Sequence, residues 1–295
     1  MKKFRHSRYS WLFGCICLGA FALSAHVPFT FPRTYEASLH GTKPNATVTL
    51  VRSLNTDKHV TEVAAWVRAV QHLAPYMCIL VDSESYGVWL ASALSEQILA
   101  ETMENVRIIN VAGEFSACNT RPAPGSKCVE NNYFSHGYKR MCRLWYSAVW
   151  SYLSDYEYIL RFDLDNVYGR GDWPVNIEHV GTVTCIDGDN SNYMVGLKET
   201  LWGPDIARRG RSPYPYTNVF FVNVQWVLHE PRLRHLFDLV DESNCVCVNR
   251  WGDLPLWGES LSKLGIRVRI MQDWAYLHGS HNSEISGATE KGMFC

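Results

Sequence analysis

Hydrophobic and polar residues alternate along the first part of the chain in a pattern that predicts strands and helices in turn. Residues 47–52, 76–81 and 106–111 are rich in β-branched and aliphatic side chains, as is typical of strands. Between them, residues 58–73 and 86–105 have apolar side chains at helical spacing. This βαβαβ order predicts a parallel sheet with helices on both faces.

A second stretch combines a helix with a strand. Residues 138–152 carry apolar side chains at intervals of three and four, which predicts an amphipathic helix. Residues 156–162 are aromatic and β-branched, and they predict a buried strand. The strand leads directly into Asp163 and Asp165, two carboxylates at the carboxyl edge of a sheet, where α/β proteins bind their ligands.

The Asp163-x-Asp165 pair predicts a site for a hard divalent cation. A nucleotide-sugar diphosphate bound through Mn²⁺ or Mg²⁺ needs such carboxylates, because the metal bridges them to phosphate oxygens. The alternative is that both acids are solvated in a surface loop, but a core strand that ends in them favours the metal. A second acidic cluster at 187–190 contains Gly and Asn, and we predict a surface turn there.

The second half of the chain is less regular. Residues 180–186, 214–224 and 266–270 are predicted strands, and a helix is predicted to run through residue 264. Neither a G-x-G-x-x-G sequence nor a P-loop sequence occurs, so neither type of phosphate loop is indicated. We expect a nucleotide over the carboxyl ends of the first strands, where Arg52 is a candidate contact for base or phosphate.

Composition and charge narrow the class of protein. The chain has 295 residues, of which 47% are hydrophobic and 19% are charged, and this suits one globular domain with an ample core. The formal net charge is −1, and the chain has no extended basic stripe. Nucleic-acid binding is therefore not expected.

The N-terminus has the pattern of a membrane anchor. Residues 1–10 are basic, and residues 11–31 form an apolar run without Asp, Glu, Lys or Arg. We predict a cytoplasmic tail (1–10), a signal-anchor transmembrane segment (11–31), a short stem (32–44) and a luminal domain (45–295). A cleaved signal peptide is the alternative. Asn45 begins the one glycosylation sequon, whose place after the stem suits a luminal domain.

The cysteines are compatible with an oxidising compartment. Two of the ten lie in the apolar segment, and the remaining eight are an even number that allows luminal disulfides. Cys118 and Cys128 flank a loop rich in Pro and Gly, and we predict a local bridge between them. Cys78 and Cys142 are predicted core thiols. The Cys-x-Cys pair at 245–247 is only a weak indication of zinc, because no second pair matches it.

Four stretches together resemble the Golgi α-1,2-mannosyltransferases of glycosyltransferase family 15. They are YKRMCRLW with the Tyr-rich strand and acidic-x-Asp that follow it, NATVTLVR at 45–52, NRWGDLPLWGESL at 249–261 and WAYLH at 274–278. They occur in the family's order, and the resemblance covers about residues 45–281. It implies a catalytic domain with the GT-A fold, which is an α/β fold with a Rossmann-like nucleotide-sugar half and a mixed central sheet.

The resemblance also implies a reaction and a location. The reaction is retaining transfer of mannose from GDP-mannose to a mannose hydroxyl on a glycoprotein glycan or oligosaccharide, with an α-1,2 linkage and Mn²⁺ or Mg²⁺ as cofactor. The location is the Golgi membrane, as a single-pass type II protein. His278 of the Y-x-H sequence becomes the third metal ligand beside Asp163 and Asp165, and imidazole with carboxylates suits Mn²⁺.

The remaining implied site residues contact the sugars or the nucleotide. Asp253, at the start of the predicted helix, is an ordinary capping residue by its position alone. The resemblance gives it hydrogen bonds to hydroxyls of the donor or acceptor. The implied catalytic residues are Asp253 and Asn218, and the implied substrate-binding residues are Arg52, Tyr138, Arg143, Trp251 and Asp253.

The chain departs from the family pattern at Phe220. The family has an acidic residue two positions after the Asn that corresponds to Asn218, and that acid has been considered as a catalytic nucleophile. Three interpretations stay open: the reaction needs no carboxylate there, another residue serves, or the activity has changed. Phe220 keeps open one alternative function, a catalytically impaired luminal glycan-binding homologue. A second alternative is another nucleotide-sugar glycosyltransferase, which would share all the physical features named above.

Overall fold

The structure, a computed structural model, describes residues 43–53, 56–118, 121–130, 134–164, 166–174, 177–186, 194–208, 213–249, 251–271, 274–278 and 283–286. The chain divides into two units, Met1–Gly41 and Thr42–Cys295. The first unit lies outside the described residues, so the tail, the anchor and the stem stay predictions. Within the described ranges, no helix is both long and apolar enough to cross a membrane.

A mixed sheet lies at the centre of the second unit. The described strands are β1 (Ala46–Val51), β2 (Tyr76–Val81), β3 (Val106–Asn110), β4 (Tyr158–Phe162), β5 (Asn166–Arg170), β6 (Val180–Thr182), β7 (Cys185–Ile186), β8 (Tyr214–Pro215), β9 (Val219–Asn223), β10 (Arg269–Ile270), β11 (Ala275–His278) and β12 (Ser283–Ser286). Seven of them form the main sheet in the order β10-β6-β9-β4-β1-β2-β3. β9 runs antiparallel to its neighbours β4 and β6, and the other pairs are parallel. The predicted α/β class with a mixed central sheet is confirmed.

Helices cover both faces of this sheet. The described α-helices are α1 (Thr56–Val70), α2 (Glu84–Ser95), α3 (Ala100–Met103), α4 (Ala112–Ser116), α5 (His136–Arg143), α6 (Leu197–Trp202), α7 (Val224–His229), α8 (Pro231–Ser243), α9 (Cys245–Val248) and α10 (Asp253–Leu264). The apolar residues of α1 and α2 pack on one face. Those of α5, α8, α9 and α10 pack on the other. The alternation of side chains along each strand supplies both cores.

The predicted βαβαβ beginning is confirmed, because β1, β2 and β3 are parallel neighbours joined through α1 and α2. The single helix predicted at 86–105 is wrong in one respect: it is two helices, α2 and α3. The chain turns after Leu94, whose carbonyl oxygen accepts from the backbone N–H groups of Gln97 and Ile98. Residues 96–99 separate the two helices, and Leu99 has an extended backbone (φ −58°, ψ 143°) that a continuous helix does not allow.

The predicted helix at 138–152 is helical but irregular. After α5 it continues as a π-helical turn, Leu144–Ala148, and a 3₁₀ turn, Val149–Leu153. The consecutive side chains of Leu144, Trp145 and Tyr146 are all buried. Three successive residues of a regular α-helix spread over more than half of its circumference, so the wider π turn lets all three face the core.

Two of the predicted later strands are interrupted. Residues 180–186 form β6 and β7, and residues 214–224 form β8 and β9 with a turn between them. The buried hydroxyl of Thr182 donates to the carbonyl oxygen of Tyr216 at 2.9 Å, which holds this turn against β6. β5, β11 and β12 form a separate antiparallel sheet in the order β12-β11-β5.

Candidate functional site

The carboxyl ends of the parallel strands bring two of the predicted residues, Arg52 and Asp163, to one edge of the sheet, together with Asp82. Arg52 follows β1, Asp82 follows β2 and Asp163 follows β4. β1 is the direct neighbour of both β2 and β4 and runs parallel to them, so these three residues share the edge. This is the edge where open α/β sheets bind ligands.

Asp163 is held firmly at this edge. Its backbone N–H donates to the carbonyl oxygen of Asn218 at 3.0 Å. Its two carboxylate oxygens accept from Nε and Nη2 of Arg161 at 2.8 and 3.0 Å. The Asp163 side chain is still 21% exposed, so its carboxylate is not sealed in the core. The structure thus brings Asp163 and Asn218 together.

Asp253 joins the same cluster from another element. It is the first residue of α10 and is only 5% exposed. Its carboxylate accepts a short hydrogen bond from Nη1 of Arg161. One guanidinium therefore bridges the first acid of the Asp-x-Asp pair and the predicted sugar-binding acid.

Arg161 links two of the predicted site residues, and the sequence prediction did not include it. Its guanidinium carbon lies 4.4 Å from the ring centroid of Trp145, and the residue as a whole is 3% exposed. Burial on its own would lower the pKa of Arg161, but Asp163 and Asp253 outweigh burial and raise the pKa above its ordinary value. The signal was available, since an arginine inside an apolar strand needs buried acidic partners.

The structure describes only part of the predicted metal site. Asp165 and the side chain of His278 lie outside the described residues. The backbone of His278 in β11 pairs with Asn166 of β5, the residue that follows Asp165. In the part of the chain that the structure describes, no group of three His, Cys, Asp or Glu side chains is arranged to hold a metal ion. The acidic cluster at 187–190 also lies outside the described residues.

Phe220 occupies a core position on β9. It is 2% exposed, and its ring meets that of Trp257 at a centroid distance of 5.3 Å and an interplanar angle of 61°. Asn218, which precedes β9, is half-buried in the turn beside Asp163. The place where the family has an acid is therefore filled by an aromatic side chain packed on α10.

Arg52 is confined by three groups. Its Nε lies 3.4 Å from an oxygen of Asp82, and its guanidinium carbon lies 5.5 Å from the ring centroid of Phe115. A Cβ added at Gly137 would lie 2.3 Å from Nη1 of Arg52, so glycine is what allows this close approach. The Arg52 side chain remains 29% exposed and accessible at the edge. Tyr138, next to Gly137 on α5, is half-buried, and its ring lies 5.3 Å from that of Phe134.

Arg143 is bound by carboxylates from two helices. It donates to Glu114 at 2.9 Å and to both oxygens of Asp241 at 3.1 and 2.9 Å. Burial opposes its charge, but Asp241 and Glu114 raise its pKa above the usual value. Arg143 also borders an open cleft of about 520 Å³ beside the loop that carries Arg121. Its substrate-binding role stays a prediction.

Trp251 is placed differently from what we expected. It is fully buried, and its indole N–H donates to the carbonyl oxygen of Val195 at 3.2 Å. A buried indole has no surface for a sugar, so direct substrate contact by Trp251 finds no support in this structure. Its position two residues before Asp253 indicates that it anchors the start of α10.

The predicted Cys118–Cys128 bridge is wrong. Cys118 pairs with Cys247, and Cys128 pairs with Cys245, with Cα–Cα distances of 5.6 and 5.7 Å. The two cysteines that flank the Pro- and Gly-rich loop are therefore bonded to the two cysteines of the short helix α9 and not to each other. These bridges account for the Cys-x-Cys pair without zinc. The prediction that Cys78 and Cys142 are buried thiols is confirmed.

Comparison with known proteins defines the fold. No model of a known protein family matches the chain, and no curated protein matches its sequence. Among solved structures, the mannosyltransferase Ktr4p from S. cerevisiae matches with a TM-score of 0.53 and 16% identity, over 80% of this chain and 70% of that chain. Core-mannan synthase A (CmsA/Ktr4) from Aspergillus fumigatus, in an Mn/GDP form, matches with a TM-score of 0.50 and 15% identity, over 85% and 79%.

At these identities the similarity is one of fold. The chain has the GT-A glycosyltransferase fold, with the mixed seven-stranded sheet described above. The predicted fold class is confirmed.

Proposed function

We propose that this chain is a metal-dependent glycosyltransferase of the family 15 type. In this proposal it moves mannose from GDP-mannose to a mannose hydroxyl on a glycoprotein glycan, with retention and an α-1,2 linkage. The observation that carries the proposal is the Arg161 bridge between Asp163 and Asp253 at the carboxyl edge of a GT-A sheet. The similarity in fold to two mannosyltransferases, one of them in an Mn/GDP form, supports the choice of donor and metal.

Asp163, Asp165 and His278 are the residues that we propose hold Mn²⁺, with Mg²⁺ as the alternative. Carboxylate oxygens with one imidazole nitrogen are a donor set that suits Mn²⁺. The exposed part of the Asp163 carboxylate and the pairing of His278 with Asn166 fit this assignment. When bound, the metal supplies electrostatic stabilisation of the diphosphate leaving group.

The other residues of the edge bind and orient the substrates. Arg52, confined by Asp82 and Phe115, presents a fixed positive charge where the nucleotide is expected. Asp253 accepts from Arg161 and has further lone pairs for a sugar hydroxyl. Asn218 lies beside Asp163 and is the candidate to orient the reacting sugar.

We also propose that the protein works in the Golgi lumen as a type II membrane protein. This proposal is supported by the basic residues 1–10 and the apolar run 11–31. A luminal domain is also consistent with the two disulfides that join the 118–128 loop to α9.

A second candidate function follows from Phe220. An apolar core residue stands where the family has an acid, and this favours a glycan-binding homologue without transferase activity. Such a protein would bind an oligomannose glycan and would release no nucleotide from any donor.

A donor screen tests these functions. The purified protein is incubated with GDP-mannose, other GDP-sugars and UDP-sugars, with Mn²⁺ or with EDTA, and nucleotide release is measured. We expect release from GDP-mannose in Mn²⁺ and none in EDTA. Release only from a UDP-sugar would identify a different nucleotide-sugar transferase. Glycan binding with no release from any donor would support the impaired homologue.

A further inference from the structure

Arg161 lies in the middle of the main sheet, in surroundings that give a charge little support. β4 pairs with β1 on one side and with β9 on the other. The residues directly opposite Arg161 on these strands are Val48 and Phe220, and both are buried. The guanidinium therefore depends on Asp163, Asp253 and the ring of Trp145.

Stability alone does not explain this arrangement. Replacing a buried ion pair or triad with apolar side chains of similar volume is often neutral or stabilising, because the desolvation of the charges offsets their attraction. The cluster also has one positive and two negative charges, so it is not internally neutral. Both of its acids belong to the proposed site, and this points to a role in the reaction.

The geometry is one that only arginine provides. Nε and Nη2 hold both oxygens of Asp163, and Nη1 reaches Asp253, which is 92 positions away from Arg161 in the sequence. The guanidinium is rigid and planar, so it fixes the separation of the two carboxylates. A lysine ammonium is a single point on a flexible stem and cannot hold both acids in this way.

We propose that Arg161 is a positioning residue, which fixes the carboxylate of Asp163 relative to that of Asp253. The inference rests on the proposed function, in which Asp163 binds the metal and Asp253 binds a sugar. It makes the two acids interdependent. When Asp253 is neutralised, Asp163 becomes the only acid that pairs with the positive charge of Arg161, and it is then a poorer ligand for a cation.

Mn²⁺ binding to the full-length protein tests this interdependence. Mn²⁺ is titrated calorimetrically in the presence of GDP into the wild type, Asp253→Asn, Arg161→Lys and the double variant. We expect Asp253→Asn to weaken Mn²⁺ binding about threefold or more in the presence of Arg161, as for residues that share one hydrogen-bond network. In the Arg161→Lys background the same change is expected to have little effect. If Arg161→Lys does not fold, as judged by urea unfolding, Arg161→Gln replaces it.

Arg107→Lys is the matched control. Arg107 also lies on a strand of the main sheet, with its guanidinium 4.6 Å from the ring centroid of Tyr76, but it belongs to no part of the proposed site. In that background, Asp253→Asn is expected to weaken Mn²⁺ binding as it does in the wild type. If Arg161 had only a structural role, Arg161→Lys would change the unfolding free energy, but Asp253→Asn would still weaken Mn²⁺ binding in the Arg161→Lys background.

The outcomes separate the inference from the function on which it rests. Equal weakening in the wild-type and Arg161→Lys backgrounds would mean a direct charge effect and would overturn the positioning role. No weakening in either background, with normal Mn²⁺ binding by the wild type, would also overturn it and would leave the proposed function intact. Failure of the wild type to bind Mn²⁺ with GDP would overturn the proposed function and the inference together.

Discussion

Phe220 lies directly opposite Arg161 in the antiparallel pair of β4 and β9. Its ring packs edge-on against Trp257 of α10, the helix whose first residue is Asp253. A carboxylate at position 220 would thus enter a site with a buried cation nearby, but Asp163 and Asp253 already engage that cation. The interior at this place is adapted to an aromatic side chain.

Phe220→Glu is therefore expected to destabilise the protein without increasing transfer. The variant loses the packing on Trp257 and buries an acid, and together these cost about 3 kcal/mol or more of unfolding free energy. Urea unfolding measures the loss, and the donor assay measures the rate. Phe220→Leu, which keeps the site apolar, is the control and should lose less. A folded Phe220→Glu protein with clearly higher kcat would show instead that the native chain is an impaired enzyme.

The thiol of Cys78 gives the fold a measurable dependence on alkaline pH. Burial raises the pKa of Cys78 from 9.0 to about 12, although the hydrogen bond between its sulfur and the hydroxyl of Tyr156, at 3.1 Å, acts in the opposite direction. Because the folded state holds the proton more tightly, this contribution to stability is complete below pH 9 and is lost as the pH rises towards 12.

The unfolding free energy of the wild type should therefore fall more steeply above pH 9 than that of Cys78→Ala. One such group changes the slope by up to about 1.4 kcal/mol per pH unit. Urea unfolding between pH 8 and pH 11 compares the two proteins. Parallel curves for the wild type and Cys78→Ala would show that the thiol is not buried as described.

Much of the fold could be predicted because strand and helix periodicity is local. The β1 to β3 strands were predicted to within one residue of their observed ends, since each is a short aliphatic run between polar turns. The breaks at residues 96–99 and at Thr217 were missed. Leu99 takes an extended backbone between α2 and α3, and the hydroxyl of Thr182 donates to the turn before β9, and neither feature leaves a periodic signal in the sequence.

The site was predictable where one strand leads into acids and not where distant elements meet. Asp163 followed from its place after β4, whereas the link to Asp253 requires knowing that α10 begins beside that edge. The cysteine pairing failed for the same reason. Cys118 and Cys128 are close in sequence, but α9 supplies their partners from 129 and 117 residues away.

The predicted topology makes Asn45 a glycosylation site. Asn45 directly precedes β1 and is half-buried, near the start of the described part of the chain. In eukaryotic expression, endoglycosidase treatment should reduce the mass of the wild type and leave that of Asn45→Gln unchanged. An unchanged wild-type mass, with a C-terminus that protease reaches in intact vesicles, would contradict the type II orientation.

Substitution of the proposed metal ligands should reduce transfer in a graded way. Asp163→Ala and Asp165→Ala are each expected to lower the rate by about 10² or more, as for the loss of one preorganised electrostatic group. His278→Ala should weaken Mn²⁺ binding less severely. Asp189→Ala is the control, because the 187–190 cluster is predicted to be only a turn, and its rate should stay near that of the wild type.

The most direct test of the proposed function is calorimetry of GDP binding in the presence and absence of Mn²⁺. Wild type, Asp163→Ala, Asp165→Ala and Asp189→Ala are compared, after urea unfolding has shown that each is folded. We predict that Mn²⁺ strengthens GDP binding to the wild type and to Asp189→Ala, and that this effect is lost in Asp163→Ala and in Asp165→Ala. Unchanged Mn²⁺-dependent affinity in both of these variants would contradict the assignment of the metal site and the glycosyltransferase function built on it.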